Sequence, residues 1–302
     1  ADQAGALMDP MIDFSTAPRS WNSGVVDRAT MVGISQQFPI FGQRGLRGRA
    51  ARAEARAMGE DYRSVRLDLL REARRYYLDY YLIFRNLAVN GELKELLTQF
   101  RRTAIGKYSA GTVGLDDALQ ADVELGMLAH AEVALTRQKR VLAAQLNALL
   151  RREPGGAMPQ PPGELPVGAV AVRADSVLAA ALAARPELKG WEAQRDARKA
   201  GLSLARRQRL PEFTFMARYD RFMNESEWRP QVGVGLNLPI FFGRLGAAER
   251  EARAAVEQMD YRRQAAQNQI GYEVESAVAQ VQETEHEVQI MEERVVPATE
   301  RA

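Results

Sequence analysis

The sequence predicts a mainly α protein with β-hairpins, an α+β class of long antiparallel coiled-coil helices and two two-stranded hairpins produced by an internal duplication. Three observations predict it. Proline-free segments tens of residues long, rich in Ala, Arg, Glu and Leu, carry apolar residues at helical spacing. Short strings such as EFTFMARYD alternate with period two. Finally, MVGISQQFPIFG, read from Val32, returns 200 positions later as VGVGLNLPIFFG from Val232.

The first helix is expected from about Arg44 to Thr103, on the order of 90 Å at 1.5 Å per residue. Leu69, Ala73, Tyr76, Tyr80, Ile83 and Leu87 step alternately by four and three, the seam of a coiled coil. Leu70, Tyr77, Tyr81 and Phe84 form a second stripe, so this helix should meet neighbours on two sides. Gly106, Gly111 and Gly114 break the pattern, and a second helix follows from about Leu115 to Arg152, with Leu128, Leu135, Leu142 and Leu149 every seventh residue. Two long helices with matching seams and a short joint predict an antiparallel helical hairpin. The glycines and prolines of EPGGAMPQPPGELPVG mark an extended connector. Asp175 or Ser176 is placed to cap a short Ala-rich helix, and Pro186 suits the first turn of another ending near Gln208.

In EFTFMARYD, Phe213, Phe215, Ala217 and Tyr219 share one face and Glu212, Thr214, Met216, Arg218 and Asp220 the other. After a polar loop, Val232, Val234, Leu236 and Leu238 alternate with Gly233, Gly235 and Asn237. The pair predicts a hairpin with one greasy face and one polar or small face. A final helix runs from about Arg244 to the end. The duplicated unit is strand, strand, long helix, with DPMIDF near Pro10 parallel to PEFTF at Pro211, one residue out of step. Its logic leaves one helix unmatched at each end, so the chain is expected to be a fragment lacking the first and last long helices.

The segments read as a first β-hairpin (1–43), a first long helical hairpin (44–152), a linker with a short helix (153–185), a helix (186–209), a second β-hairpin (210–243) and a second long helix (244–302) that stops before its tip. The 302 residues, 46% hydrophobic and 26% charged, suffice for a substantial core. Forty-one Lys and Arg nearly cancel 39 Asp and Glu, so no net field gathers nucleic acid at long range. The lack of cysteine excludes disulfides and thiolate chemistry. No run of about 18 apolar residues predicts a transmembrane helix, and no signal-peptide pattern opens the chain. His130 and His286 lie far apart with no second ligand at i+4, so no metal site is expected, and the ten Met show no clustered spacing. No phosphate loop, nucleophile triad or acid pair stands out, which argues against an enzyme, and no cofactor is expected.

The ordered set DPMIDF, VGISQQFPIFGQR, KYSAGTVGLDDALQAD, QLNALL, ARPEL and VGVGLNLPIFFGR resembles the TolC-like outer-membrane efflux channels, in the branch serving resistance-nodulation-division metal and multidrug exporters. The resemblance spans essentially the whole chain. It implies a homotrimer in which each full-length protomer gives four strands to a twelve-stranded outer-membrane barrel joined to an α-helical tunnel. It further implies a periplasmic membrane-fusion adaptor and an inner-membrane efflux pump as partners, contact with outer-membrane lipid, and a location in the outer membrane and periplasm of a Gram-negative bacterium. The implied function is passive export of metal ions or small toxic compounds. The rival is a soluble coiled-coil scaffold with no membrane role.

By that resemblance, Gly111, Thr112, Val113, Gly114 and Leu115 at the hairpin tip are adaptor-contact candidates, and Asp116 and Asp117 are gate candidates. The alternative for the two aspartates is a helix turn capped by an aspartate. Strand alternation makes Glu212, Thr214, Arg218, Gln231 and Asn237 lumen-lining candidates, against a solvated sandwich face. Pro39 and Pro239 mark the strand-to-helix junctions, where a missing N–H ends the ladder. Trp21 and Trp228 fall in the strand-connecting loops, at an interfacial position or as ordinary loop aromatics. Gln36 stands where the second copy has Leu236, so the first copy fits a lipid-facing wall less cleanly.

Overall fold

A computed structural model describes residues 3–17, 30–112, 114–165, 173–223 and 226–301. The elements run β1 (Met11–Thr16), β2 (Thr30–Phe38), α1 (Gln43–Ser109), α2 (Asp116–Leu149), α3 (Ala174–Ala184), α4 (Pro186–Arg207), β3 (Glu212–Asp220), β4 (Pro230–Asn237), α5 (Phe242–Ile290) and α6 (Val296–Arg301). They fall into two compact units. One comprises residues 1–64 and 172–302, the other 65–171, and α1 contributes to both.

In the first unit the two expected hairpins join edge to edge as one antiparallel sheet in the order β1-β2-β3-β4. The joining ladder pairs Phe38 with Phe213 and runs to Met31 opposite Asp220, between segments far apart in sequence. Period two fixes which face each residue occupies but not which strand lies alongside, so this ladder was not legible in the pattern. The register also refines the repeat. Ile34 opposes Ile12, whereas its counterpart Val234 opposes Phe215. The first strands are therefore equivalent at an offset of 203, not the 201 that aligning Pro10 with Pro211 implies. A slip of two keeps every side chain on its own face.

Below the sheet, α4 is antiparallel to α5. Ala193, Ala197 and Ala205 are buried on α4, and such small side chains let helix backbones approach closely. Arg195 meets Asp260 at 2.5 Å, Arg263 meets Glu192 at 3.2 Å and Arg185 meets Glu273 at 2.8 Å along the flanks. The apolar core lies lower, where Leu188 packs with Ala266, Ile270, Val274 and Val278, and α3 lays Ala174, Leu178 and Ala181 on top. Truncating the fully buried Ile270 to Ala should cost about 2–5 kcal/mol by transfer and cavity terms. Neither Asp175 nor Ser176 caps α3. Its N-cap is Arg173, and the Ser176 hydroxyl donates to the Arg173 carbonyl at 2.8 Å.

The start of α1 packs on α4 as well. Arg56 pairs with Asp196 at 3.2 Å, and a side chain at Gly190 would meet Asp61 and Glu60. Helix α5 ends in one π turn, Met291–Val295, before α6. Pro297 explains it: with no N–H and a ring that clashes with the carbonyl four residues back, it shifts the ladder to wider spacing. The proline in VVPATER was the available signal.

The second unit is the predicted helical hairpin. Tyr80, Ile83 and Ala104 are buried on the α1 seam, and Leu128, Leu135, Leu142 and Leu149 are half-buried on α2. Antiparallel alignment is fixed by Lys94 with Glu132 at 2.7 Å and Arg101 with Asp122 at 2.5 Å. Asn90, buried in the seam, donates to the Leu128 carbonyl at 3.2 Å. Of the second stripe, Phe84 is half-buried beneath the Lys139 ammonium, Tyr81 donates to the Gly163 carbonyl, and Leu70 and Tyr77 stay exposed.

Candidate functional site

The sequence candidates fall in two places, the two-faced sheet and the helical hairpin tip. The sheet's register confirms the alternation strand by strand. One face collects Ile12 and Phe14, Val32 and Ile34, Phe213, Phe215, Ala217 and Tyr219, then Val232, Val234 and Leu236. This greasy face is open. Ile12 is 73% exposed, Phe14 68%, Val234 61% and Val232 90%. A water-soluble sheet buries that face, so an outward apolar face needs a non-aqueous neighbour.

Gln36 lies in the apolar face opposite Phe215. Its Nε2 donates to the carbonyls of Met8 at 2.7 Å and Gln37 at 3.2 Å. Its donors are thus used locally, which reconciles an amide with that surface.

The opposite face is polar and small. Glu212 opposes Asn237, Thr214 opposes Gly235, and Arg218 opposes Gln231. Arg218 Nε donates to Gln231 Oε1 at 2.6 Å. All five lumen-lining candidates therefore share one face. Sequence reasoning missed four further polar members: Asp13 and Ser15 on β1, Ser35 and Gln37 on β2. Gln37 donates to Glu212 across the β2–β3 ladder. Alternation within DPMIDFS and VGISQQF was the signal, whereas the contact depended on the cross-strand register. Glycines leave space here for long neighbours. A Cβ on Gly33 would lie 3.3 Å from Arg218 Cβ, and one on Gly233 would lie 3.2 Å from Met216 Cγ.

At the tip, α1 ends in a Schellman turn. Thr112 N–H donates to Lys107 O at 3.0 Å, Gly111 N–H donates to Tyr108 O at 2.9 Å, and Gly111 adopts φ +72°. Gly111, Thr112, Gly114, Leu115, Asp116 and Asp117 are all exposed, while Val113 lies outside the described residues. The aspartates do not cap. The N-cap is Leu115, without a side-chain cap bond, and Asp116 and Asp117 occupy the first turn of α2, where the helix dipole favours a carboxylate. Buried Ala104, Ala118 and Ala121 hold the two helices close just behind the tip.

Pro39 directly follows β2, and Pro239 stands two residues beyond β4. The two junctions share a turn: Gly42 N–H donates to Ile40 O and Phe242 N–H to Ile240 O, each at 3.0 Å. Trp21 and the Trp228 side chain lie outside the described residues. A ridge that the sequence reading missed runs along α1 through Leu78, Leu82, Val89, Leu93, Leu96 and Phe100, all exposed. Its steps of four, three and seven are those of a coiled-coil seam. Among the described residues no helix is long and apolar enough to cross a membrane, and no cluster of His, Asp or Glu is spaced to hold a metal ion.

An open apolar sheet face backed by a polar face, carried on long helices, is an architecture this chain shares with solved outer-membrane channel structures. Residues 177–302 match the sequence model of the outer membrane efflux protein family, so this part of the chain carries that family's signature. The fold extends the likeness to the whole chain. The outer membrane protein VceC of Vibrio cholerae superposes with a TM-score of 0.76 at 18% identity, over 99% of this chain and 78% of VceC. A membrane protein from Pseudomonas aeruginosa gives 0.78 at 20% identity, over 97% and 71%. The open state of the MtrE outer membrane channel of Neisseria gonorrhoeae gives 0.71 at 15%, over 99% and 70%. No curated protein matches the sequence significantly.

Proposed function

We propose that this chain forms the outer-membrane channel component of a tripartite efflux system, a passive duct for metal ions or small toxic compounds, without catalysis or cofactor. The observation that carries the reading is the exposed apolar face of the four-stranded sheet, with Val232 on the outermost strand 90% exposed. Strands β1 and β4 each keep one edge unpaired among the described residues. Four strands cannot close a barrel, and an unpaired edge beside lipid leaves backbone groups without partners. Three copies would supply twelve strands and join β4 of one to β1 of the next. Glu212, Thr214, Arg218, Gln231 and Asn237 then line a wet lumen while the apolar face meets lipid. The exposed ridge on α1 gives the helical part a matching surface for further helices.

In this reading Gly111, Thr112, Val113, Gly114 and Leu115 meet the periplasmic adaptor, which joins the duct to an inner-membrane pump, and Asp116 and Asp117 belong to the gate. The test is outer-membrane fractionation of cells producing the full-length protein, followed by trimer detection in unheated gels and conductance in planar bilayers. A cytosolic monomer without conductance would leave the soluble scaffold as the better account.

A further inference from the structure

The nearly neutral net charge conceals a local excess of cations. Directly below the sheet, the first turns of α1 and the last turns of α4 enclose an open groove of about 880 Å³. Into it project Arg49, Arg52, Arg56, Lys199 and Arg207, against a single carboxylate, Asp196. Asp196 is engaged by Arg56, and Arg49, Arg52 and Lys199 have no ion-pair partner among the described residues. Five cations beside one anion repel one another, and a bound anion relieves that repulsion. Resting on the reading of the sheet as a membrane wall, we propose that this groove binds the phosphate of an anionic phospholipid headgroup at the level where the wall ends.

Depth supports the assignment. The lipid-facing surface continues through Ile40 and Phe41, both exposed, and Arg207 Nη1 donates to the Phe41 carbonyl. The groove therefore starts at the lower rim of the apolar surface. Arg49 lies six residues into α1, about 9 Å along its axis. Helical side chains lean toward the N-terminus, and the Arg52 guanidinium does so: a Cβ on Gly48 would lie 3.5 Å from its Nη1. The heads of Arg207, Arg49 and Arg52 thus sit within roughly the thickness of a headgroup layer beneath the hydrocarbon. Guanidinium forks match phosphate oxygens two at a time, and Lys199 adds a point charge. Half-buried Ala200 adds a small apolar surface to the same groove, whose floor is the buried Leu46 and Ala53.

The test uses the whole chain, transferred from detergent into vesicles of phosphatidylcholine alone or with a minority of phosphatidylglycerol, at physiological ionic strength. The wild type is expected in both, with a preference for the anionic vesicles of roughly tenfold or more. Arg49→Gln/Arg52→Gln/Lys199→Gln should abolish the preference and keep binding to phosphatidylcholine, whereas Arg49→Lys/Arg52→Lys should retain most of it. Arg66→Gln/Arg74→Gln/Arg102→Gln removes equal charge from elsewhere on the chain and should change little. If the groove variant keeps the preference, or the control loses as much, the headgroup site is overturned. Displacement from anionic vesicles by millimolar inorganic phosphate at matched ionic strength would make it a site for the free anion and overturn the lipid assignment. A wild type that enters neither vesicle overturns the membrane reading itself, and the headgroup site with it.

Discussion

Arg207, the last residue of α4, donates from Nη1 to the carbonyl of Phe41 at 2.5 Å, bridging 166 positions of sequence. The contact fastens the end of one helix to the turn that starts another. Next to it, Gly42 has φ +71°, which favours glycine, and a Cβ there would push the Arg207 guanidinium out of its place.

Gly42→Ala should therefore lower stability by about 1–2 kcal/mol from the left-handed backbone alone, and by more if Arg207 is displaced. Gly243 lies within the first turn of α5 with open space around it and no positive φ. Gly243→Ala should be neutral or stabilising by up to about 1 kcal/mol. Thermal melts of the two variants check the contrast. Equal destabilisation would mean that the junctions are not distinguished by Arg207.

Val234→Arg places a charge on the apolar face. If that face meets lipid, the cost is about 2–4 kcal/mol near the bilayer midplane, read as loss of the protein from the outer-membrane fraction. Thr214→Arg, on the polar face, should be tolerated. Two equally harmless substitutions would contradict the assignment of faces.

Glu249 receives hydrogen bonds from Arg206 at 3.1 Å and Arg209 at 2.8 Å, with Arg253 at 3.5 Å. The Arg206 hydrogen bond foremost, with the charges of Arg209, Arg206 and Arg253, holds its carboxyl below the usual glutamate range, against a smaller opposing effect of burial. A lowered folded-state pKa means that the pairing stabilises the fold above the ordinary glutamate pKa. The stabilisation is lost as pH falls through the lowered value. Glu249→Gln should accordingly melt earlier than wild type at neutral pH, and the gap should close on acidification. A gap independent of pH would assign the loss to packing.

Asn147 is fully buried, and its Nδ2 donates to the Gly156 carbonyl at 2.8 Å and the Pro154 carbonyl at 3.4 Å, folding the connector back on α2. Asn147→Leu strands those carbonyls and should cost about 1–3 kcal/mol. Protease sensitivity after Leu150 should rise with it, and a variant as resistant as wild type would show that the connector is held elsewhere.

Asp116→Asn/Asp117→Asn removes two exposed charges from the first turn of α2. Stability should fall by less than about 1 kcal/mol per charge through the helix dipole, while conductance of the assembled channel rises if the pair belongs to the gate. Unchanged conductance would return both residues to a local role in helix initiation.

Much of this was legible in the sequence because it rests on short-range periodicity. Heptad steps such as Leu128 to Leu149 fixed the helices, and period two fixed the faces of the strands. The repeat at offset 200 located both strand-to-helix junctions. Five polar residues of one strand pair were assignable to one face before any partner was known.

Partners in space followed no such rule. Nothing local places Phe38 beside Phe213, Gln37 on Glu212, or Arg207 on the Phe41 carbonyl, since each pair is joined by long-range packing across more than 150 residues. The cationic groove is the clearest case. Arg49 and Arg52 lie among many arginines in one helix, and only its packing against α4 brings Lys199 and Arg207 to them. Sequence determined which residues form helices and strands and which face each occupies, because backbone sterics and side-chain period act over a few residues. Tertiary structure decided which faces meet, because that depends on free energies summed over surfaces assembled from distant parts of the chain.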